Sequence, residues 1–202
     1  MASATFIVLE GGEGAGKTTI AHVLAEQFPD LLVTRAWGTS LGAKLRVELI
    51  SEENKDLSPQ TQFALALAAH ADEAEKIVAP ALARGMSVVS DRFDASTFAY
   101  QAYAQQATTL EFFFTAREEL LSSKPDLYIF LDVTPEIGLS RIKKAGKSTD
   151  HIERKGVEFH GRVREGYLEF FKHVPHKVVD ASRPLEEVQA EVFEEIKKHL
   201  NG

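Results

Sequence analysis

The chain has 202 residues, 44% of them hydrophobic and 26% charged, with a formal net charge of −7 and no cysteine. These values predict a single globular domain over 1–202 with a sizeable core. They exclude disulfides, thiolate metal sites and a cysteine nucleophile, and an acidic surface argues against a nucleic-acid partner. No apolar run approaches the roughly 18 residues that span a bilayer, and MASATFIVLEGG has no basic segment before its apolar run. No membrane partner is therefore expected, and the cytoplasm is the expected location.

In chain order, "TFIVLE" (5–10) reads as a buried strand, being short, apolar and β-branched. A helical pattern over 17–28 follows, then a second strand, "LLVT" (31–34), and a helix over 40–51. Ser58-Pro59 supplies an N-cap and a first-turn proline for a long helix over about 59–84, which Gly85 stops. "MSVVSD" (86–91) is the third strand, and a helix over 109–122 leads to the fourth, "LYIFLDV" (127–133). Thr134-Pro135 opens a helix over 135–145, after which come a helix over 157–172 and the strand "HKVVD" (176–180). Arg183-Pro184 opens the last helix, 184–200. Alternation of this kind predicts an α/β fold of three layers, a five-stranded parallel sheet with helices on both faces. One stretch, "SRIKKAGKSTDHIERKG" (140–156), is locally basic in an acidic chain.

Between the first strand and first helix lies "EGGEGAGKTT" (10–19), in which Gly11, Gly16, Lys17 and Thr18 complete the P-loop pattern G-x4-G-K-S/T. The chemistry requires these residue types. Glycines let backbone N–H groups turn inward, and the helix N-terminus adds its dipole to an anion site. Lys17 is expected to reach the β- and γ-phosphates and the Thr18 hydroxyl to ligate Mg²⁺. A second anchor is Asp91-Arg92 at the end of the third strand, the carboxyl edge where α/β sheets bind ligands. Asp91 there suits Mg²⁺ held through water, and the planar fork of Arg92 suits a second phosphate.

Five segments, in order, give the chain a resemblance to the thymidylate kinases. "FIVLEGGEGAGKTT" is similar to the bacterial-type P-loop, and "PALARGMSVVSDRFDASTFAYQ" to P-A-L-x-x-G…D-R-Y-x-x-S-x-x-A-Y-Q, with Phe93 for Tyr. "PDLYIFLDVTPEIGLSRI" resembles P-D-L-x-x-x-L-D-V-x-P-E-x-G-L-x-R, and "DHIERKGVEFHGRVREGYLEF" resembles D-R-I-E…F-x-x-R-V-R-x-G-Y, with His151 for Arg. "VVDASRPLEEV" is like the loop that receives adenine.

The resemblance implies a P-loop NTPase fold with a short mobile lid within about 140–156, and a homodimer formed through the long helix. It implies phosphoryl transfer from ATP, with Mg²⁺, to a deoxynucleoside monophosphate, dTMP becoming dTDP. Gly11, Gly12, Gly14, Ala15, Gly16, Lys17, Thr18 and Thr19 would hold the donor's phosphates, and Asp180, Ala181 and Ser182 its base. Glu13 would approach the acceptor's 3′-hydroxyl or the metal's water shell, and Arg92 and Arg35 would grip the acceptor phosphate. Ser96, Thr97, Tyr100 and Gln101 would face base and sugar, and Tyr167 would close over the sugar. A lid arginine would act catalytically like an arginine finger, with Arg141 matching the family position after G-L-x and Arg154 as a second candidate.

The sequence departs from the family at the base. Where the family has a Phe and an Arg four residues apart on the long helix, this chain has Ala66 and His70. Phe63, one turn earlier, or Trp37 in the shortened Ala36-Trp37-Gly38 loop is a substitute platform. Alternatively, Ala66 opens the pocket to a purine or a modified pyrimidine. A switch-type NTPase or an inactive nucleotide-binding homologue could also carry the P-loop, but there is no guanine-reading N-K-x-D motif, and Arg92 would lack a role.

Overall fold

The structure is a computed structural model and describes residues 4–146 and 150–201. Five strands, β1 (Phe6–Glu10), β2 (Leu32–Arg35), β3 (Val88–Asp91), β4 (Leu127–Asp132) and β5 (His176–Asp180), form one all-parallel sheet in the order β2-β3-β1-β4-β5. The expected strands are all present: β1, β3 and β4 are short runs buried on both faces, while β2 and β5 are partly exposed edge strands. Phe6 and Val8 enter one core with Val88, Tyr128 and Phe130. Ile7 and Leu9 point the other way, into a core with Val89, Ile129, Leu131 and Val179. Such period-two alternation makes each strand contribute to both layers.

The helices are α1 (Lys17–Gln27), α2 (Ser40–Ile50), α3 (Pro59–Glu73), α4 (Ala79–Ala83), α5 (Asp94–Thr97), α6 (Leu110–Leu120), α7 (Pro135–Lys144), α8 (Gly156–Phe171) and α9 (Leu185–Asn201). Ile20 and Leu24 of α1 and Val188, Val192 and Ile196 of α9 cover the Ile7/Leu9 face. Phe63 and Leu67 of α3, Phe113 of α6 and Val163, Phe170 and Phe171 of α8 cover the other. No helix of the described residues is long and apolar enough to cross a membrane.

Two elements differ from the expected ones. The long helix is broken by a π-helical turn, Ala74–Val78, between α3 and α4. Pro80 lacks the N–H that an α-turn there would need, and a wider turn accommodates the loss. A helical segment also follows Asp91, where α5 continues as a π-helix over Phe98–Ala104. Its Phe, Tyr and Thr residues have modest helix propensity, and packing on α8 sustains it.

The strand ends position everything that follows. Arg35 lies in register with Asp91, Leu9 with Asp91, Glu10 with Phe130 and Asp132 with Asp180. Five strands therefore deliver Glu10, Arg35, Asp91, Asp132 and Asp180 to one carboxyl edge.

Candidate active site

At that edge the chain leaves β1 and circles through Gly11 to Gly16 before α1 begins at Lys17. Gly16 caps α1 with a left-handed conformation (φ 95°) and no side-chain bond, so the first N–H groups of the helix face the turn. Gly14 (φ 69°) is demanded twice over. A Cβ there would stand 2.2 Å from the Gly138 carbonyl oxygen, and one on Gly138 would stand 2.1 Å from that of Glu13. The glycine turn and the first turn of α7 thus touch backbone to backbone. Lys17 Nζ lies inside the turn, donating to the carbonyls of Gly11 (2.9 Å) and Gly12 (2.8 Å).

Arg92 follows β3 with φ 70°, a left-handed conformation that costs a non-glycine residue on the order of 1 kcal/mol or more. Its neighbours over-determine that shape. Glu10 Oε1 accepts from the N–H groups of Phe93 (2.8 Å) and Ser96 (3.1 Å), and the Arg92 N–H bonds the Leu9 carbonyl. The guanidinium turns into the cleft, donating through Nη1 to Gly11 O, Ser96 Oγ and Tyr167 OH and through Nη2 to Glu13 Oε1 at 2.8 Å. Glu10 carried no expected role, because a carboxylate inside a motif reads alike whether it binds a ligand or the chain.

The electrostatics follow from this crowding. Burial pushes the Glu10 carboxyl up to about 7 against the pull of Arg92. Burial also raises Glu13, but Arg92, Lys17 and the Tyr100 hydroxyl (2.7 Å) override it and hold that carboxyl down to about 2. Burial, reinforced by Arg92, brings the Lys17 ammonium down to about 8. Partly buried cations at close quarters favour a bound polyanion.

The cleft has a volume of about 750 Å³ and is lined along one side by Glu13 to Thr19. Its other side holds Arg35, Trp37, His70, Arg92, Ser96, Thr97, Tyr100 and Gln101. His70 is 1% exposed, with Nε2 2.9 Å from Thr97 Oγ1 and its ring 4.9 Å from Phe93 and 5.9 Å from Trp37. Burial holds the imidazole down to about 4, so it is neutral near pH 7.

Three expected acceptor residues stand elsewhere. Phe63 packs against Phe112 and Phe113 in the core and does not line the cleft, since one helical turn carries it under α6. Ala66 is also buried away from the cleft, so its small side chain does not widen it. Tyr167 stacks on Phe171 and is fully buried, with its hydroxyl bonded to Arg92, Ser96 and Glu10; it backs Arg92 rather than covering the cleft. Trp37, held at φ 68°, does line the cleft, as the rings of His70 and Tyr100 do.

Arg141 of α7 donates to the carbonyls of Ala181 (2.8 Å), Ser182 (3.2 Å) and Gly14 (3.3 Å). It ties the glycine turn to the loop after β5, where Asp180 Oδ1 accepts from the N–H and hydroxyl of Ser182. Of the expected lid, 147–149 lie outside the described residues. His151 Nε2 donates to the Leu49 carbonyl at 3.0 Å, Arg154 pairs with Glu52, and Asp150 and Ile152 line the cleft, so this segment rests on the end of α2.

For a metal, Thr18 Oγ1 donates to Asp91 Oδ2 at 2.7 Å, and Asp91 Oδ1 is buried with no partner among the described residues. A hydroxyl and one carboxylate with an unused oxygen suit Mg²⁺, which takes few protein ligands and completes its shell with phosphates and water. Among the described residues no group of three or more His, Asp or Glu gathers around a metal-sized site.

A glycine turn with a buried lysine, opening the first helix of a five-stranded parallel sheet and facing an Asp-Arg strand end, defines a P-loop NTPase fold. Within that class the chain belongs to the thymidylate kinase family, whose family model, Thymidylate kinase, matches residues 9–192. It is 39% identical over 204 residues to a thymidylate kinase of Carboxydothermus hydrogenoformans, covering 98% of this chain and 97% of the relative. It is 38% identical to one of Lactobacillus acidophilus, covering 96% and 94%, and 37% identical to one of Caulobacter vibrioides, covering 99% of each.

Proposed function

We propose that the chain transfers the γ-phosphoryl group of ATP to dTMP, giving dTDP and ADP. The observation that carries this reading is the Arg92 guanidinium, turned into the cleft opposite a P-loop whose lysine stands 2.9 Å from the Gly11 carbonyl that Arg92 also bonds. Two cationic grips on one floor suit a donor and an acceptor that both carry phosphate. Family membership and the thymidylate kinase names of its relatives support thymidylate as the acceptor.

In this reading Lys17 and the N–H groups of Gly14 to Thr19 bind the donor's phosphates, while Arg92 and Arg35 bind the acceptor's. Thr18 and Asp91 would hold Mg²⁺, whose chemistry there is neutralisation of charge on the β- and γ-phosphates. The nucleophile is an acceptor phosphate oxygen, already ionised near pH 7, so the site needs no general base. Its task is to align the reactants and place positive charge around the migrating group. Glu13 orients the acceptor's hydroxyl side, and Thr97, Gln101, Tyr100, His70 and Trp37 surround its base and sugar. Asp180 to Ser182 flank the donor's base, with Arg141 locking that loop to the glycine turn. The segment 140–156 acts as a lid that closes against water over the single domain 1–202.

A homodimer in the cytoplasm completes the reading. Ala64 and Ala68 on the exposed side of α3, with exposed Phe112 beside Phe63, offer apolar surface to a second copy. The test is a panel of nucleoside monophosphates with ATP and Mg²⁺. Turnover of dTMP above the others is expected, and turnover of another monophosphate without dTMP would overturn it.

A further inference from the structure

Beneath the acceptor side of the cleft, Glu73 ends α3 with no exposed surface, at the point where the helix widens into its π-turn. Its Oε1 lies 3.3 Å from Ser90 Oγ, and that same oxygen lies 2.8 Å from the carbonyl of Arg92. The Thr34 hydroxyl and the Trp37 N–H lie near the same carboxyl, whose Oε2 is buried with no hydrogen-bond partner among the described residues. Glu73 therefore meets the ends of β2 and β3 and the turn after β2, the three places from which Arg35, Arg92 and Trp37 enter the cleft.

We propose that Glu73 is a positioning residue of the acceptor site, bracing from below the two left-handed turns that carry Trp37 and Arg92. This rests on the acceptor reading given above. Proton bookkeeping gives the brace its direction. Ser90 has one hydroxyl proton and two oxygens competing for it, Glu73 Oε1 and the Arg92 carbonyl. A protonated carboxyl resolves the competition: it donates to Ser90 Oγ, and the hydroxyl proton goes to Arg92. A charged carboxylate would pull that proton back and leave a buried carbonyl unpaired. Burial favours the protonated form, lifting the carboxyl to about 8 against hydroxyl and N–H donors alone. The carboxyl also lies beside Trp37, whose φ of 68° is one that tryptophan adopts at a cost.

The chain has a single tryptophan, Trp37, so its fluorescence reports on this turn alone. The experiment compares the full-length protein with Glu73→Gln, Glu73→Leu and Ser90→Ala, measuring KM for dTMP and ATP separately along with Trp37 emission. Glu73→Gln keeps a donor for Ser90 and an acceptor for Trp37, and is expected to hold the dTMP KM within about threefold. Glu73→Leu keeps the bulk without the hydrogen bonds. It is expected to raise the dTMP KM about tenfold or more, with the ATP KM within about twofold and the emission shifted to the red. Should Glu73→Leu not fold by circular dichroism, Ser90→Ala, which removes only the bridge to Arg92, carries the same KM expectation.

An unchanged dTMP KM with unshifted emission in the folded variants overturns the proposal, as does an equal rise in both KM values. If the unsubstituted protein turns over no dTMP, the acceptor reading fails by itself. The emission comparison between Glu73→Leu and Glu73→Gln then judges the brace, a shift in the first alone supporting it and no difference overturning it.

Discussion

Arg92 Nη2 and Glu13 Oε1 meet at 2.8 Å across the floor of the cleft, joining the end of β3 to the glycine turn. The cation assigned to the acceptor is thus already neutralised by the loop assigned to the donor. An incoming phosphate has to win that cation from a carboxylate which stays charged down to about pH 2.

Arg92→Ala is expected to weaken dTMP far more than thymidine, because only the monophosphate carries the group that replaces Glu13. Loss of a charge-assisted bidentate contact predicts about 100-fold or more in kcat/KM for dTMP. Titration calorimetry with both ligands checks the assignment, and an equal loss for the two removes Arg92 from the phosphate.

Lys17→Ala should lower kcat by about 10²–10³-fold while circular dichroism stays unchanged. Among the described residues Lys17 hydrogen-bonds only the Gly11 and Gly12 carbonyls, so the fold loses little. A steady-state assay at saturating ATP and dTMP measures it; a kcat within tenfold of the unsubstituted enzyme contradicts the role.

Gly138→Ala is expected to destabilise the protein by about 1–3 kcal/mol through overpacking and to weaken the donor more than the acceptor. The added methyl would fall 2.1 Å from the Glu13 carbonyl, which belongs to the glycine turn. Thermal melts, repeated with ATP and then with dTMP, separate the two effects.

Stability should decline as pH rises from about 5 to about 8. Burial holds Glu73 at about 8 and Glu10 at about 7, both above the 4.5 of an exposed glutamate, so the folded chain binds these protons more tightly than the unfolded chain. Their contribution is complete below the unfolded value and is lost as pH climbs through the folded ones. Denaturant midpoints across this window should fall less steeply in Glu73→Gln; an identical slope would place the Glu73 titration outside the window.

Much of this arrangement was legible in the order of residues. The strands announced themselves because each is a short, mostly apolar, β-branched run, and Ser58-Pro59 marked α3 because capping is local chemistry. Asp91-Arg92 could be placed at the carboxyl edge from strand order alone, and both line the cleft. What stayed hidden depends on three-dimensional neighbours. Spacing along α3 carries Phe63 toward the cleft or under α6 equally well, and only packing against Phe113 decides. Glu73 looks like any helix-surface glutamate until the sheet edge is laid over it. The π-turns are invisible for a related reason, since a one-residue widening leaves apolar periodicity almost unchanged over a single turn.

The backbone contact between Gly14 and Gly138 has a consequence for how such a chain can vary. Two positions far apart in the sequence share one gap too narrow for even a methyl group, so neither can acquire a side chain and rely on its opposite number to make room. Drift at one cannot be rescued at the other, and the pair forms a fixed point around which α7 and the glycine turn are free to diversify.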